Sequence, residues 1–346
     1  MTMVGGIPSR LLLEPSRSGT VAAQKQLSAA QTESATGRHY DVGLSLGSRT
    51  GTDIALRIHL SGLEVAASGA SLASLRAETV QNALSALSGL ADRFRSTLVG
   101  ARDSTGGRVL SSSYAATSLD SLQDSLSVTQ DGQYLFSGLA SDQPPLNAFG
   151  SGPRRAIVDA FQTAFGFPPD DPAAAALTEA DVTGFLDGPF AALFSGSGWS
   201  SSWSSATDEV PKFTLPSGAG VSILSSVNRP FAQKLAQALG MVEVLGSSKI
   251  SGKAFTAVVD KSLSLLSEAQ SAVTGEQARI GLGQERLKEA QSSLEQRKSH
   301  LTAAVSALET VDPYDAATRV NLLMTQLESS YALTGRISKM SLLSYI

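Results

Sequence analysis

The chain of 346 residues is 42% hydrophobic but only 6% aromatic, so its apolar content is mostly Ala, Leu and Val, the vocabulary of helix bundles rather than of β-sandwiches. A net charge of −4 offers no basic footprint for nucleic acid. With no cysteine, disulfides and thiol catalysis are excluded and the compartment is left open.

At the start, Leu11-Leu12-Leu13 sits between Pro8 and Pro15, an apolar patch too short and interrupted for the core of a signal peptide. Nowhere do about 18 apolar residues run together, so neither a cleaved secretion signal nor a membrane span is expected. From Arg17 to Ala35 a faint helical pattern, with Val21 and Leu27 among Gln, Ser, Ala and Thr, predicts a marginal helix stopped by Gly37. Such a weak apolar face orders only against a partner. Gly43, Gly47 and Gly51 then predict a loop over 37–52.

A long helix is predicted from Asp53 to about Leu98, with a small or apolar residue at every seventh position: Leu56, Leu63, Ala70, Ala77, Leu84, Ala91 and Leu98. A strict seven-residue repeat implies a left-handed supercoil with another helix. Gly106-Gly107 breaks the run, and a third helix from about Val109 to Thr129 should fold back on the second, using Ala115, Leu119, Leu122 and Leu126. Asp131 to Gly138 reads as a short aromatic strand-like segment between glycines.

Between Leu139 and about Val227 the composition shifts to Pro, Gly, Ser and aromatics, which predicts a separate small α/β domain. Within it Thr178 and Asp181 form a capping-box-like helix start running to about Phe194, and Lys212–Leu215 and Gly220–Leu224 look like short strands. Trp199 and Trp203 are expected in its core, with a carbohydrate or partner site as the weaker reading. Pro230 opens a helix to about Leu245.

The second heptad series is Leu266, Val273, Ile280, Leu287, Leu294, Leu301 and Leu308, unbroken over a span equal to the first. Its expected mate is Leu56–Leu98. The positions four residues on are Gln270, Gln277, Gln284 and Gln291, a row that reads as a face left polar for solubility until neighbours arrive. Asp312-Pro313, with Asp315 in the first turn, starts the last helix, which uses Val320, Leu323, Leu327, Tyr331, Ile337 and Met340.

The expected architecture is mainly α: an elongated helical bundle or coiled-coil rod from N- and C-terminal helices, with a small α/β insert. Its parts are a terminal assembly region (1–52), N-terminal rod helices (53–138), the insert (139–227), C-terminal rod helices (228–312) and an assembly helix (313–346). The rod core is expected from Leu56, Leu63, Leu84, Leu98, Leu266, Val273, Ile280, Leu287, Leu294, Leu301 and Leu308. The assembly interface is expected at Leu323, Leu327, Tyr331, Ile337, Leu342 and Leu343.

No pattern carries catalysis. His39, His59 and His300 lack metal-ligand spacing, no Gly-x-Ser-x-Gly elbow is present, and Asp170-Asp171 is flanked by prolines as a solvated turn. Gly281-x-Gly283 lacks the strand and third glycine of a dinucleotide site and reads as a helical soft spot. No catalytic residue, cofactor or metal is expected.

The segment Gln133-Tyr134-Leu135-Phe136-Ser137-Gly138 closing the first helices, Arg279-Ile280-Gly281 with Glu285-Arg286-Leu287, and the tail Leu327-Glu328-Ser329-Ser330-Tyr331 … Arg336-Ile337-Ser338 … Leu342-Leu343-Ser344-Tyr345 resemble the flagellin superfamily. So do Thr36-Gly37-Arg38, Asp41-Val42-Gly43 and Leu46-Gly47-Ser48. The chain looks most like the branch that forms the hook–filament junction. It departs from the family in lacking an Asn-rich opening, which argues against a filament flagellin, and an Asp-Asp-Pro element in the loop 37–52. The resemblance implies a structural, self-assembling protein of the bacterial flagellum, not an enzyme. Its implied partners are copies of itself, another hook-associated protein on the hook side, flagellin on the filament side and a cytoplasmic export chaperone. It implies type III export to the cell exterior. A filament subunit is the nearest alternative; a cytoplasmic signalling coiled coil is the alternative from another class.

Overall fold

The computed structural model describes the backbone of residues 9–102 and 106–343 and the side chains of 18–102 and 106–336. It is mainly α-helical: long helices pack together, and among the described residues only two small two-stranded sheets interrupt them. The chain divides into a terminal unit, residues 1–65 and 294–346, and a central unit, residues 66–293.

Helix α1 (Ser9–Thr36) begins earlier than the sequence suggests and runs across Pro15, whose missing N–H removes one helical bond. It stops at Gly37, which takes the left-handed φ of +69°. The expected loop that follows is in fact partly helical. Asp41 caps a single turn, α2 (Val42–Leu46), by accepting from Leu44 N at 2.9 Å, and a 3-10 turn over Gly47–Arg49 leads into α3. Helix α3 (Thr50–Ala101) has 52 residues, about 78 Å at the usual rise. After the break at 102–106, α4 (Gly107–Leu126) packs mainly on a later helix, α8 (Pro230–Gly246), and touches α3 through the stacked rings of Phe94 and Tyr114, 6.2 Å apart.

Strands β1 (Thr129–Gln130) and β2 (Gln133–Tyr134) pair antiparallel around Asp131-Gly132, both at positive φ, the two-residue turn that matches strand twist. Behind them Leu135, Phe136 and Ser137 are buried. Here the returning chain docks: Val227 N donates to Phe136 O at 3.0 Å, and the Phe231 ring meets Phe136 edge-on. Gly138 is required at this joint, because a Cβ there would lie 2.5 Å from two backbone oxygens.

The insert is more helical than its composition suggests. It contains α5 (Pro153–Phe165), α6 (Glu179–Phe185), which widens into a π-turn over Leu186–Phe190, α7 (Gly196–Ser202) and one hairpin, β3 (Phe213–Thr214) with β4 (Gly220–Val221). Thr178 and Asp181 do form the reciprocal capping box. The scarce aromatics concentrate here in a continuous chain of rings: Phe161, Phe185, Phe190, Phe194 and Trp203, with Trp199 stacked on Trp203 at 5.5 Å. Both tryptophans are buried and belong to the core of the insert. Helix α8 closes this core, and Gly240 lets Ile157, Phe194 and Trp203 reach its backbone.

Helix α9 (Gly252–Glu309) has 58 residues and carries the second heptad series; α10 (Pro313–Leu343) follows, capped as expected by Asp312, which accepts from Tyr314 N at 2.7 Å. In the central unit both seams are dry: Ala70, Ala77, Leu84, Ala91 and Leu98 of α3, and Leu266, Val273, Ile280 and Leu287 of α9, are all buried. In the terminal unit Leu294 is buried, while Leu56, Leu63, Leu301 and Leu308 are half-buried.

Candidate assembly interface

The terminal unit is built from two helix pairs. In the first, α10 turns a regular 3–4 row, Ala316, Val320, Leu323 and Leu327, toward α1, which answers with Ala23, Leu27 and Ala30. Large against small at facing positions lets the two backbones approach closely. Gln24 Nε2 donates to the Tyr331 hydroxyl at 2.6 Å, and Arg319 pairs with the buried Glu33 at 2.9 Å, so the helices run antiparallel.

The second pair is the start of α3 with the end of α9. Its centre is Glu309, 1% exposed at the side chain, whose two carboxylate oxygens are taken by Arg38 and Arg57. Arg57 also pairs with the buried Asp53 at 3.2 Å. Buried charges are tolerated only when paired in this way. Backbone bonds lock the two turns together: His39 N donates to Glu309 O and Val311 N to Gly37 O, each at 2.9 Å. Tyr40 N donates to Glu33 Oε1 at 3.1 Å.

What this unit leaves outside is apolar. Among the described residues, eleven of the eighteen exposed large apolar side chains belong to it: Val21, Tyr40, Leu44, Ile54, Ile58, Val65, Tyr314, Leu322, Met324, Tyr331 and Leu333. Soluble single chains scatter such residues; their concentration marks a surface meant to be covered. Ile54, Ile58 and Val65 follow heptad spacing on α3, on a face other than its buried seam, so α3 offers a second row suited to another helix.

Of the interface residues expected from sequence, Leu323 and Leu327 are buried within the single chain by α1, and Tyr331 is exposed but hydrogen-bonded. The side chains of Ile337, Leu342 and Leu343 lie outside the described residues. The surface actually offered on α10 is the adjoining one, with Leu322, Met324 and Leu333. Leu323 and Leu327 belong to the row with Ala316 and Val320, and such a regular apolar row is the one an intramolecular mate takes first.

Three further motifs prove to be internal joints of the central unit. Gln270 donates to Ser88 and Gln277 to Ser85, and Gln81 of α3 donates to Gln277 O and Gln284 Oε1, at 2.8 and 3.4 Å. Gln270, Gln277 and Gln284 thus form a polar seam against α3 and not a face awaiting neighbours. Gly283 is no soft spot: a Cβ there would lie 2.6 Å from Ser222 O, so glycine admits the chain 221–223 against α9. Glu276, on the same helix, accepts from Ser225 and from Arg279, and Arg279 Nη2 also donates to Leu224 O at 2.6 Å. Burial pushes the Glu276 carboxyl up. The bonds from Arg279 and Ser225 and the charges of Arg279 and Arg229 outweigh it and hold the group below the ordinary glutamate range.

No group of three or more metal-ligating side chains occurs among the described residues. His59 and His300 do share one cleft with Arg297, Leu63 and Leu301, but without a carboxylate or third histidine lining it.

Comparison with known proteins matches both ends of the chain and extends from each into the central unit. The region described as the bacterial flagellin N-terminal helical region matches residues 15–141, and the bacterial flagellin C-terminal helical region matches 263–346. No curated protein matches the chain. Among solved structures, one from Vibrio parahaemolyticus described as a flagellar hook-associated protein is similar with a TM-score of 0.52 at 13% identity. That match covers 75% of this chain and 97% of the other. At that identity the likeness concerns the fold.

Proposed function

The chain belongs to the flagellin superfamily and is a structural protein of the bacterial flagellum, and from that premise we propose that it forms the adaptor junction between hook and filament. The observation that carries the self-assembly reading is the apolar surface of the terminal unit, contributed by the two ends that match flagellin. Covering that surface with neighbouring copies stabilises the assembled state by mass action. The junction role draws its support from a fold shared with a hook-associated protein and from a chain whose central insert is small. In this reading a hook-associated protein lies on one side, flagellin on the other, and an export chaperone covers the terminal helices beforehand. The protein leaves the cell through the type III channel.

Immunogold labelling of flagella provides the test. Gold confined to the hook tip supports the junction; gold along the filament overturns it in favour of a filament subunit. Removing Pro313–Ile346 is expected to abolish incorporation. Normal incorporation of that truncated chain would remove α10 from the assembly interface.

A further inference from the structure

One groove of the central unit has no role in the packing described above. Leu72 and Ala73 of α3 and Phe213 and Ile223 from around the hairpin β3–β4 wall a cavity of ≈ 240 Å³, with Arg76 and Lys212 beside it. The Arg76 guanidinium is loosely answered. Its Nη2 lies 3.7 Å from Asp131 and 3.3 Å from Gln133 Oε1, and its Nε is buried without an acceptor. The volume is below that of pockets for drug-sized ligands, roughly 300–1,000 Å³, and suits a single inserted side chain. Its chemistry asks for an aromatic body beside a carboxylate.

The chain itself exposes that element. Tyr314, at the first turn of α10, is 80% exposed and stands between Asp312 and Asp315. Among the exposed large apolar residues of the terminal unit it alone has an acid within two positions on both sides. We propose that Tyr314 of one copy inserts into this groove of a neighbouring copy, with Asp312 and Asp315 facing Lys212 and Arg76. Patch and groove are different surfaces, so the contact is heterologous: every copy that docks leaves its own groove open for the next. The inference rests on the self-assembly reading above and names a contact within it.

Because the chain has no cysteine, the contact can be trapped without background. Full-length Lys212→Cys and Asp315→Cys chains, carrying tags of different size, are mixed under assembly conditions and treated with a short bis-maleimide. A crosslinked species containing both tags is expected. In parallel, Lys212→Glu and Tyr314→Ala each weaken self-association measured by sedimentation about tenfold. Tyr314→Phe is expected to keep it, and Asp315→Lys is expected to restore it in the Lys212→Glu background. If wild-type chains associate while the crosslink fails and Lys212→Glu and Tyr314→Ala associate equally well, the groove contact is overturned and the assembly reading stands. If wild-type chains do not associate at all, both fall.

Discussion

Arg108 shows what one side chain does for the central unit. From the first turn of α4 its guanidinium donates to four carbonyls, Leu245 and Gly246 at the end of α8 and Ser248 and Ile250 in the connection to α9, at 2.6 to 3.1 Å. It also lies 5.0 Å from the centre of the Phe255 ring. A cation at the carbonyl end of α8 is favoured by the helix dipole, and a planar fork reaches acceptors that an ammonium cannot. Arg108→Lys is therefore expected to cost about 2 kcal/mol. Urea unfolding followed by the buried Trp199 and Trp203 measures it in the unit where it acts. Glu276 gives a pH signature. Its folded pKa lies below its unfolded one, so its contribution is complete above the ordinary glutamate value, about 4.3, and is lost as pH falls through the folded value. Glu276→Gln should flatten the loss of stability on acidification from near-neutral pH; an unchanged slope would assign that loss to other carboxylates. Neither role is legible in the sequence, because the Arg108 acceptors lie at least 137 residues further along the chain and the Ser225 partner of Glu276 lies 51 away.

At the scale of elements, the seven-residue series did disclose α3 and α9 and their pairing, since a repeat of that period means little unless another helix runs alongside. The caps at Asp312 and Thr178 were legible for the same local reason. What escaped was set by partners distant in sequence. A glutamine row reads as solvated until Ser85 and Ser88 are found opposite it, and Gly281-x-Gly283 reads as weak until the 221–223 chain is seen against Gly283. The turn α2 has five residues, too few to show a period, so only the Asp41 cap signals it. The α1–α10 pair rests on one large-to-small row. Leu323→Ala and Leu327→Ala should each cost about 2 kcal/mol there, read as faster amide hydrogen exchange in α1 and α10. Exchange within residues 66–293 is expected to stay the same.

Across the whole molecule, the two units differ in how dry their cores are. The central unit buries its heptad seams and a chain of aromatic rings; the terminal unit has half-buried seams and most of the outward apolar surface. Stability therefore should not be uniform. On heating, tryptophan fluorescence reports the central unit alone, whereas far-ultraviolet circular dichroism sums all helices. The dichroism signal is expected to fall in two steps, the first without change in fluorescence. A single coincident transition would show that the two units melt as one. The antiparallel pairing of α1 with α10 has a further bearing on time. Gln24 meets Tyr331 across 307 positions and Glu33 meets Arg319 across 286, so α1 waits for α10. Closing so long a loop comes late in folding. A chain that lacks α10 lacks the partner for the Ala23, Leu27 and Ala30 row of α1, so the finished terminal surface appears only after these two helices have docked.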